Sequence, residues 1–190
     1  MTVDVVVKLG GGLLAHADRF KAALVVIAEG ARKRRVLIVP GGGPFSDAVR
    51  DVDRRVGLSD DAAHWMAVLA MDQYAHVIAQ YLDGAVLVDD RTGIARALDA
   101  ARVPVLVSTP WLQRADSLPH SWSVTADSIA AWIAGEVGAR ELVLVKPPGA
   151  KAAGGTVDEY FDRTLPPGVR KTIVPADCLD ELRAALRAQV

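Results

Sequence analysis

The chain has 190 residues, 51% of them hydrophobic and 24% charged, with 22 basic and 23 acidic side chains and a formal net charge of −1. That length suits one compact domain with ample material for a core, and so neutral a balance offers no field to attract nucleic acid or an anionic membrane surface. The lone Cys178 excludes an internal disulfide framework and a multi-cysteine metal site, in keeping with a reducing cytoplasm. No apolar run reaches the roughly 18 residues of a membrane span, and Asp4 and Lys8 interrupt the N-terminus where a signal sequence would sit.

Val3, Val5, Val6 and Val7 form a nearly continuous β-branched run, the pattern of a strand buried on both faces, which ends in Lys8-Leu9-Gly10-Gly11-Gly12. A helix is predicted from about 16 to 32, where Phe20, Leu24 and Ile27 recur on one face. Residues 36–39 repeat the strand pattern and stop at Pro40-Gly41-Gly42-Gly43. A helix over 45–55 follows; Gly57 breaks it, and Ser59 is a good cap for a long helix over 60–81.

A short third strand, 85–88, leads to a helix rich in Ala, Arg and Leu up to 101 and a fourth strand over 104–107. An irregular segment reaching Ser123 holds Trp111, His120 and Trp122. Thr125-Ala126-Asp127 opens a helix to about 137, and 142–145 is the fifth strand. The stretch beyond carries Pro147, Pro148, Pro166 and Pro167 among glycines and reads as a long loop or irregular hairpin. Residues 171–174 form a last strand, after which Asp177 caps a terminal helix to 188. Regular alternation of strand and helix predicts an α/β fold: a three-layer αβα sandwich with a mainly parallel sheet, as one domain over 1–190.

Two strand-to-helix junctions carry the most legible chemistry. A three-glycine turn at the carboxyl end of a parallel strand leaves N–H groups bare, lets an anion approach without meeting a Cβ, and adds the positive end of the next helix. Gly10–Gly12 and Gly41–Gly43 are expected to form two such cradles on neighbouring strands, about one phosphate-transfer distance apart, with Lys8 in reach of an anion between them. Neither is a Walker A loop, and both lack the GxGxxG spacing of a nicotinamide site. A third element, Ser123-Val124-Thr125-Ala126-Asp127-Ser128, lies at a helix start. Thr125 and Asp127 there serve either as caps or, for the acid, to hold lysines or meet Mg²⁺ on a nucleotide.

Val7-Lys8-Leu9-Gly10-Gly11, Val39-Pro40-Gly41-Gly42-Gly43 and Thr125-Ala126-Asp127-Ser128-Ile129-Ala130 resemble, in order, the motifs of the amino acid kinase superfamily. Gly43-Pro44-Phe45, Val49-Arg50, His64, Met71-Asp72 and the run from His120 to Ser128 are similar to an archaeal-type branch that includes the kinase of methanofuran biosynthesis acting on (aminomethylfuranyl)methyl phosphate. The resemblance implies an ATP-dependent phosphotransferase, with Mg²⁺ arriving on the nucleotide and a small phosphorylated acceptor as partner. Lys8 would stabilise the transferring group beside the N–H groups of Gly10 and Gly11, and Asp127 would organise the lysines. Gly41, Gly42 and Gly43 would cradle the acceptor phosphate. His120, Ser121, Trp122 and Thr125 would shape the acceptor pocket, Trp122 offering its ring to a furan or an aminomethyl cation.

It also implies an acceptor half over 1–140, a shortened nucleotide half over 141–190, and a homodimer or higher oligomer seamed by the long helix. The sequence departs from the family after the fifth strand. Where a Thr-Asp-Val-Asp-Gly segment is usual it reads Lys146-Pro147-Pro148-Gly149-Ala150-Lys151, so Lys146 or Lys151 takes the nucleotide-side position. That replacement keeps open a non-catalytic binding or regulatory role, and a kinase for another phosphate or carboxylate acceptor stands beside it. His64 and Trp65 read as packed helix residues, His16 and His76 as ordinary helix positions, and Met66 and Met71 as core or dimer filler. Arg32-Lys33-Arg34-Arg35 reads as a charge run suited to a helix end.

Overall fold

The computed structural model describes residues 3–150 and 157–187. Six parallel strands form one sheet: β1 (Val5–Leu9), β2 (Val36–Pro40), β3 (Ala85–Val88), β4 (Val103–Leu106), β5 (Glu141–Lys146) and β6 (Arg170–Pro175), in the order β3-β4-β2-β1-β5-β6. The central strands β1, β2, β4 and β5 are buried along their whole length, as their apolar runs require. Alternation along β1 sends Val5, Val7 and Leu9 into one core and Val6 into the other.

The core under Val5 and Val7 is closed by α1 (Ala17–Ala31) and α8 (Leu179–Ala185). The opposite core is closed by α4 (Arg91–Asp99), α5 (Thr109–Ala115), α6 (Ala126–Glu136) and the single turn α7 (Phe161–Thr164). The long α3 (Asp60–Tyr81) serves both cores, through Val68 and Met71 on one side and Tyr74, Ala75 and Ile78 on the other. Between β2 and α3 lies α2 (Gly43–Val56), which buries only Val49 and leaves most of its surface to solvent. The three-layer arrangement is the one expected from the sequence.

Local chemistry explains the boundaries. Ser59 caps α3 by accepting from the Ala62 N–H, and Asp90 caps α4 by accepting from the Gly93 N–H. Gly57, at φ 67°, ends α2 in the left-handed region. The segment read as irregular before Ser123 contains α5, started by Pro110 in its first turn. Asp177 does not cap the last helix: Cys178 holds the capping position without a side-chain bond, and Asp177 accepts from the Gly149 N–H instead. The charge run at the end of α1 is not wholly solvated either. Arg34 is buried against Glu141 of β5, at 2.9 Å, because its guanidinium reaches under the amino edge of the sheet.

The strand order places the site. From β1 the chain moves outward to β2, skips a place to the edge strand β3, comes back to fill the gap with β4, and then crosses the sheet to β5. Neighbouring β1 and β5 therefore flank the point where the winding reverses, and the crevice beyond their carboxyl ends is where such sheets take ligands.

Candidate active site

Lys8 near the end of β1 and Lys146 at the end of β5 enter that crevice side by side. Both ammonium groups face one carboxylate: Lys8 Nζ lies 2.9 Å from Asp127 Oδ1 and Lys146 Nζ 2.5 Å from Oδ2. All three residues are at least nine-tenths buried. Asp127 sits in the first turn of α6, whose cap Thr125 accepts weakly from the Asp127 N–H at 3.5 Å. Of the three uses open to Asp127, its side chain takes the one that holds lysines.

The electrostatics follow from this sharing. Burial alone would raise the Asp127 carboxyl, but the charges of Lys8 and Lys146 overcome it and hold the group below the usual carboxylate range. Lys146 moves down from the ordinary lysine value, chiefly through burial and then through repulsion by Lys8, against the opposing pull of Asp127. With both oxygens facing ammonium groups, Asp127 serves the lysines.

The two glycine turns meet as one seam. A Cβ on Gly11 would lie 2.0 Å from the Gly43 nitrogen, so the short 3₁₀ turn after β1 (Gly11–Ala15) presses directly on the first turn of α2. The N–H groups of Gly11, Gly12, Gly42 and Gly43 have no acceptor among the described residues. Gly10 and Gly41 differ from that expectation. Their N–H groups donate to Val145 O and Leu9 O, both at 2.8 Å, because each residue continues its strand's ladder by one more bond. Neither N–H is free for a ligand.

Lys8, Gly11, Gly12, Gly42 and Gly43 form the polar floor of a cleft of about 310 Å³. Val68, Met71, Val124 and Ile129 supply an apolar wall, and Asp47, Arg50, Trp122 and Thr125 stand at its rim. Asp47 and Arg50 carry no site signature in the sequence beyond the Val49-Arg50 pair shared with the archaeal-type branch. Arg50 pairs with Asp47 at 3.3 Å and lays its guanidinium over the Trp122 ring, 4.6 Å from the centroid. Trp122 in turn donates from Nε1 to Asp53 Oδ2 at 2.8 Å. One face of the indole thus already holds a cation of the protein itself.

His120 and Ser121, expected in the acceptor pocket, do not line the cleft. The His120 ring lies between two carboxylates, Asp61 at 2.5 Å and Asp116 at 2.9 Å, and stacks on His64 with centroids 4.3 Å apart. Those contacts draw it away from the floor that Trp122 faces. Ser121 meets the Ser123 hydroxyl at 3.0 Å. His64 is packed, as a helix residue facing its own core, beside Trp65 and His120. Lys151, the alternative nucleotide-side lysine, lies outside the described residues.

Asp158 is the acid near α6 that the sequence did not announce. Its carboxylate accepts from the backbone N–H groups of Thr125, Ser128 and Tyr160 and from the hydroxyls of Thr125 and Ser128. These partners are up to 33 residues away, so no local pattern could have marked it.

An open parallel sheet whose carboxyl edge joins free amides to two lysines on one buried acid defines an α/β protein built to handle phosphate-like anions. The chain belongs to the amino acid kinase family, which it matches over residues 5–147. A [5-(aminomethyl)furan-3-yl]methyl phosphate kinase from Methanocaldococcus jannaschii is 29% identical over 141 residues, 73% of this chain. The match spans 63% of that relative's length. The uridylate kinase of Archaeoglobus fulgidus shares the fold with a TM-score of 0.72 at 14% identity, covering 98% of this chain and 97% of its own. The UMP kinase of Bacillus anthracis does so with a TM-score of 0.68 at 14% identity, over 96% and 91%.

Proposed function

We propose that this chain is an ATP-dependent phosphotransferase for a small phosphorylated acceptor. The observation that carries the reading is the pair Lys8 and Lys146 on Asp127, with Lys8 itself lining a cleft floored by free N–H groups. In this reading an acceptor phosphate oxygen forms its bond to the γ-phosphorus of ATP as the bond to the β,γ-bridging oxygen breaks, leaving ADP. An ionised phosphate needs no general base, so positioning and charge stabilisation suffice. Lys8 meets the charge on the transferring group, and Gly11 and Gly43 offer amides fixed by their mutual contact. Lys146 faces the donor side. Mg²⁺, arriving with ATP, supplies further neutralisation of the phosphates.

The acceptor we favour is [5-(aminomethyl)furan-3-yl]methyl phosphate, named for the Methanocaldococcus relative. Such a molecule carries an anion, a small aromatic ring and an ammonium group. The cleft offers Arg50 and free amides to the first, the Val68, Met71 and Trp122 wall to the second, and Asp47 to the third. The partner is a small molecule rather than nucleic acid or membrane, and no helix among the described residues is long and apolar enough to cross a bilayer. A cytoplasmic homo-oligomer completes the reading.

A non-catalytic binding role has one observation in its favour: β5 runs into Lys146-Pro147-Pro148-Gly149 where the family's aspartates usually lie. Calorimetric titration with ATP·Mg²⁺ separates the two, since absence of heat at millimolar nucleotide would sink the kinase. ADP release over a panel of acceptors, including the aminofuran phosphate, an isoprenoid phosphate, UMP and a carboxylate, then identifies the substrate. Our reading predicts turnover with the first and little with the others.

A further inference from the structure

The segment between β5 and β6 contributes one residue to the site's architecture from a distance. Asp158 lies half-buried just before α7, and five donors converge on it. Four of the five belong to Thr125 and Ser128, in the opening turn of α6. Helix starts leave several N–H groups without partners, and a cap of the helix's own sequence satisfies one or two. Here the local cap, Thr125, makes only a 3.5 Å contact with the Asp127 N–H. Its hydroxyl is instead turned to donate to Asp158 at 2.7 Å. The residue that fixes the start of α6 is therefore Asp158.

What that start carries is Asp127, whose two oxygens must meet Lys8 and Lys146 at once. A small rotation of the first turn of α6 would move the carboxylate off one of them. We propose that Asp158 is a positioning residue for phosphoryl transfer, closing the N-terminus of α6 so that Asp127 stays between the two lysines. Its charge has a second consequence. Lys146 is faced by Lys8 from β1, by Asp127 from α6 and by Asp158 from the β5–β6 segment; burial and Lys8 favour loss of its proton, and the two acids oppose that loss. Asp158 thus supports the ammonium form of Lys146 without touching it. The inference rests on the phosphotransferase reading for its kinetic meaning, but its placing role stands on geometry alone.

Asp158→Asn keeps an oxygen for the opening turn of α6 and removes the charge; Asp158→Ala removes both. We expect kcat to fall on the order of 10- to 100-fold in the alanine variant, with KM for the acceptor changing much less, because only Thr125 at the rim of the cleft loses a partner. The asparagine variant should recover most of the low-pH rate while its alkaline loss of activity begins at lower pH. Nitrogen-15 NMR of labelled lysine reads the Lys146 ammonium directly, and its titration should move down in both variants. Wild-type kcat and a wild-type Lys146 titration in Asp158→Asn, together with unchanged kcat in Asp158→Ala, would overturn the proposal. If the wild-type protein transfers no phosphate, the kinase reading fails by itself. The lysine titration then still decides the placing role: a larger downward move in Asp158→Ala than in Asp158→Asn supports it, and equal moves or an unmoved signal overturn it.

Discussion

Lys8 and Lys146, on neighbouring parallel strands, grip opposite oxygens of the same carboxylate, 2.9 Å and 2.5 Å from Asp127. Either lysine alone would neutralise the acid. The pair leaves an excess of positive charge at the carboxyl edge of the sheet, next to amides with no other acceptor among the described residues, and in the proposed function this excess is what an incoming phosphate would meet. Removing the acid should then harm both stability and transfer. Asp127→Asn leaves two buried ammonium groups facing each other, and we expect a loss of about 3–5 kcal/mol in urea unfolding. ADP release should fall roughly 100-fold or more. Lys146→Met, which leaves Asp127 paired with Lys8, should destabilise by less.

The lowered Lys146 gives activity and stability opposite pH slopes. Between its folded value and the ordinary lysine range the native state binds fewer protons than the unfolded chain, so stability contributed by this group rises with pH across that window. In the proposed phosphotransferase, transfer needs the ammonium and should fall over the same window. Comparing wild type with Lys146→Met isolates the effect. The difference in denaturation midpoint should grow in favour of wild type toward alkaline pH, while wild-type kcat declines before an ordinary lysine would titrate. Parallel midpoints over the whole range would contradict the burial argument.

The contact between Gly11 and Gly43 makes a sharper steric prediction. A methyl group at Gly11 would overlap the Gly43 nitrogen at 2.0 Å, and that obstacle is backbone, not a side chain able to swing away. Gly11→Ala must separate the 3₁₀ turn from α2, at a cost on the order of 3 kcal/mol, and spread the free amides apart. Transfer should be lost at protein concentrations and temperatures where circular dichroism still shows a folded chain.

Acid stability should depend on His64. Burial, and then the charge of His120, push its pKa down to about 4. An unfolded histidine titrates near 6.5, so acidification from there to about 4 protonates the unfolded chain first and lowers stability. His120 acts in the other direction. Its hydrogen bond to Asp61 raises it most; desolvation opposes, and the hydrogen bond to Asp116 with the charges of both acids adds to the rise, so its contribution is full at low pH and fades as pH rises through the folded value. His64→Phe, which keeps a ring against Trp65 and His120, should show a smaller drop in urea midpoint between pH 7 and pH 5 than wild type does. An equal drop would place the acid sensitivity elsewhere.

Much of this architecture is legible in the residues themselves, for definite reasons. The β-branched runs of β1, β2 and β5 admit only buried strands, and Ser59 and Gly57 mark helix ends by chemistry local to the backbone. Lys8 and Asp127 were legible because each stands beside a junction that exposes amides or starts a helix. What escaped depends on partners far along the chain. Arg34 reads as one member of a solvated charge run until Glu141, 107 residues later, buries it. His120 lies two residues from Trp122 in sequence, yet Asp61 and Asp116 hold its ring outside the cleft. The start of α5 has a local sign in Pro110, a residue that reads equally well as the stop of the preceding strand. The two glycine turns were placed correctly on adjacent strands, but their direct contact depends on how closely α2 packs, which spacing does not encode.

The most direct test of the central claim follows phosphoryl transfer itself by phosphorus-31 NMR, with ATP·Mg²⁺ and [5-(aminomethyl)furan-3-yl]methyl phosphate, in wild type and Lys8→Met. A catalytic role for the lysine pair predicts ADP and a new diphosphate ester signal with the wild-type protein, and a rate lower on the order of 100-fold or more in the folded variant. Transfer at an undiminished rate without the Lys8 ammonium, or no diphosphate ester from the wild-type protein, would contradict it.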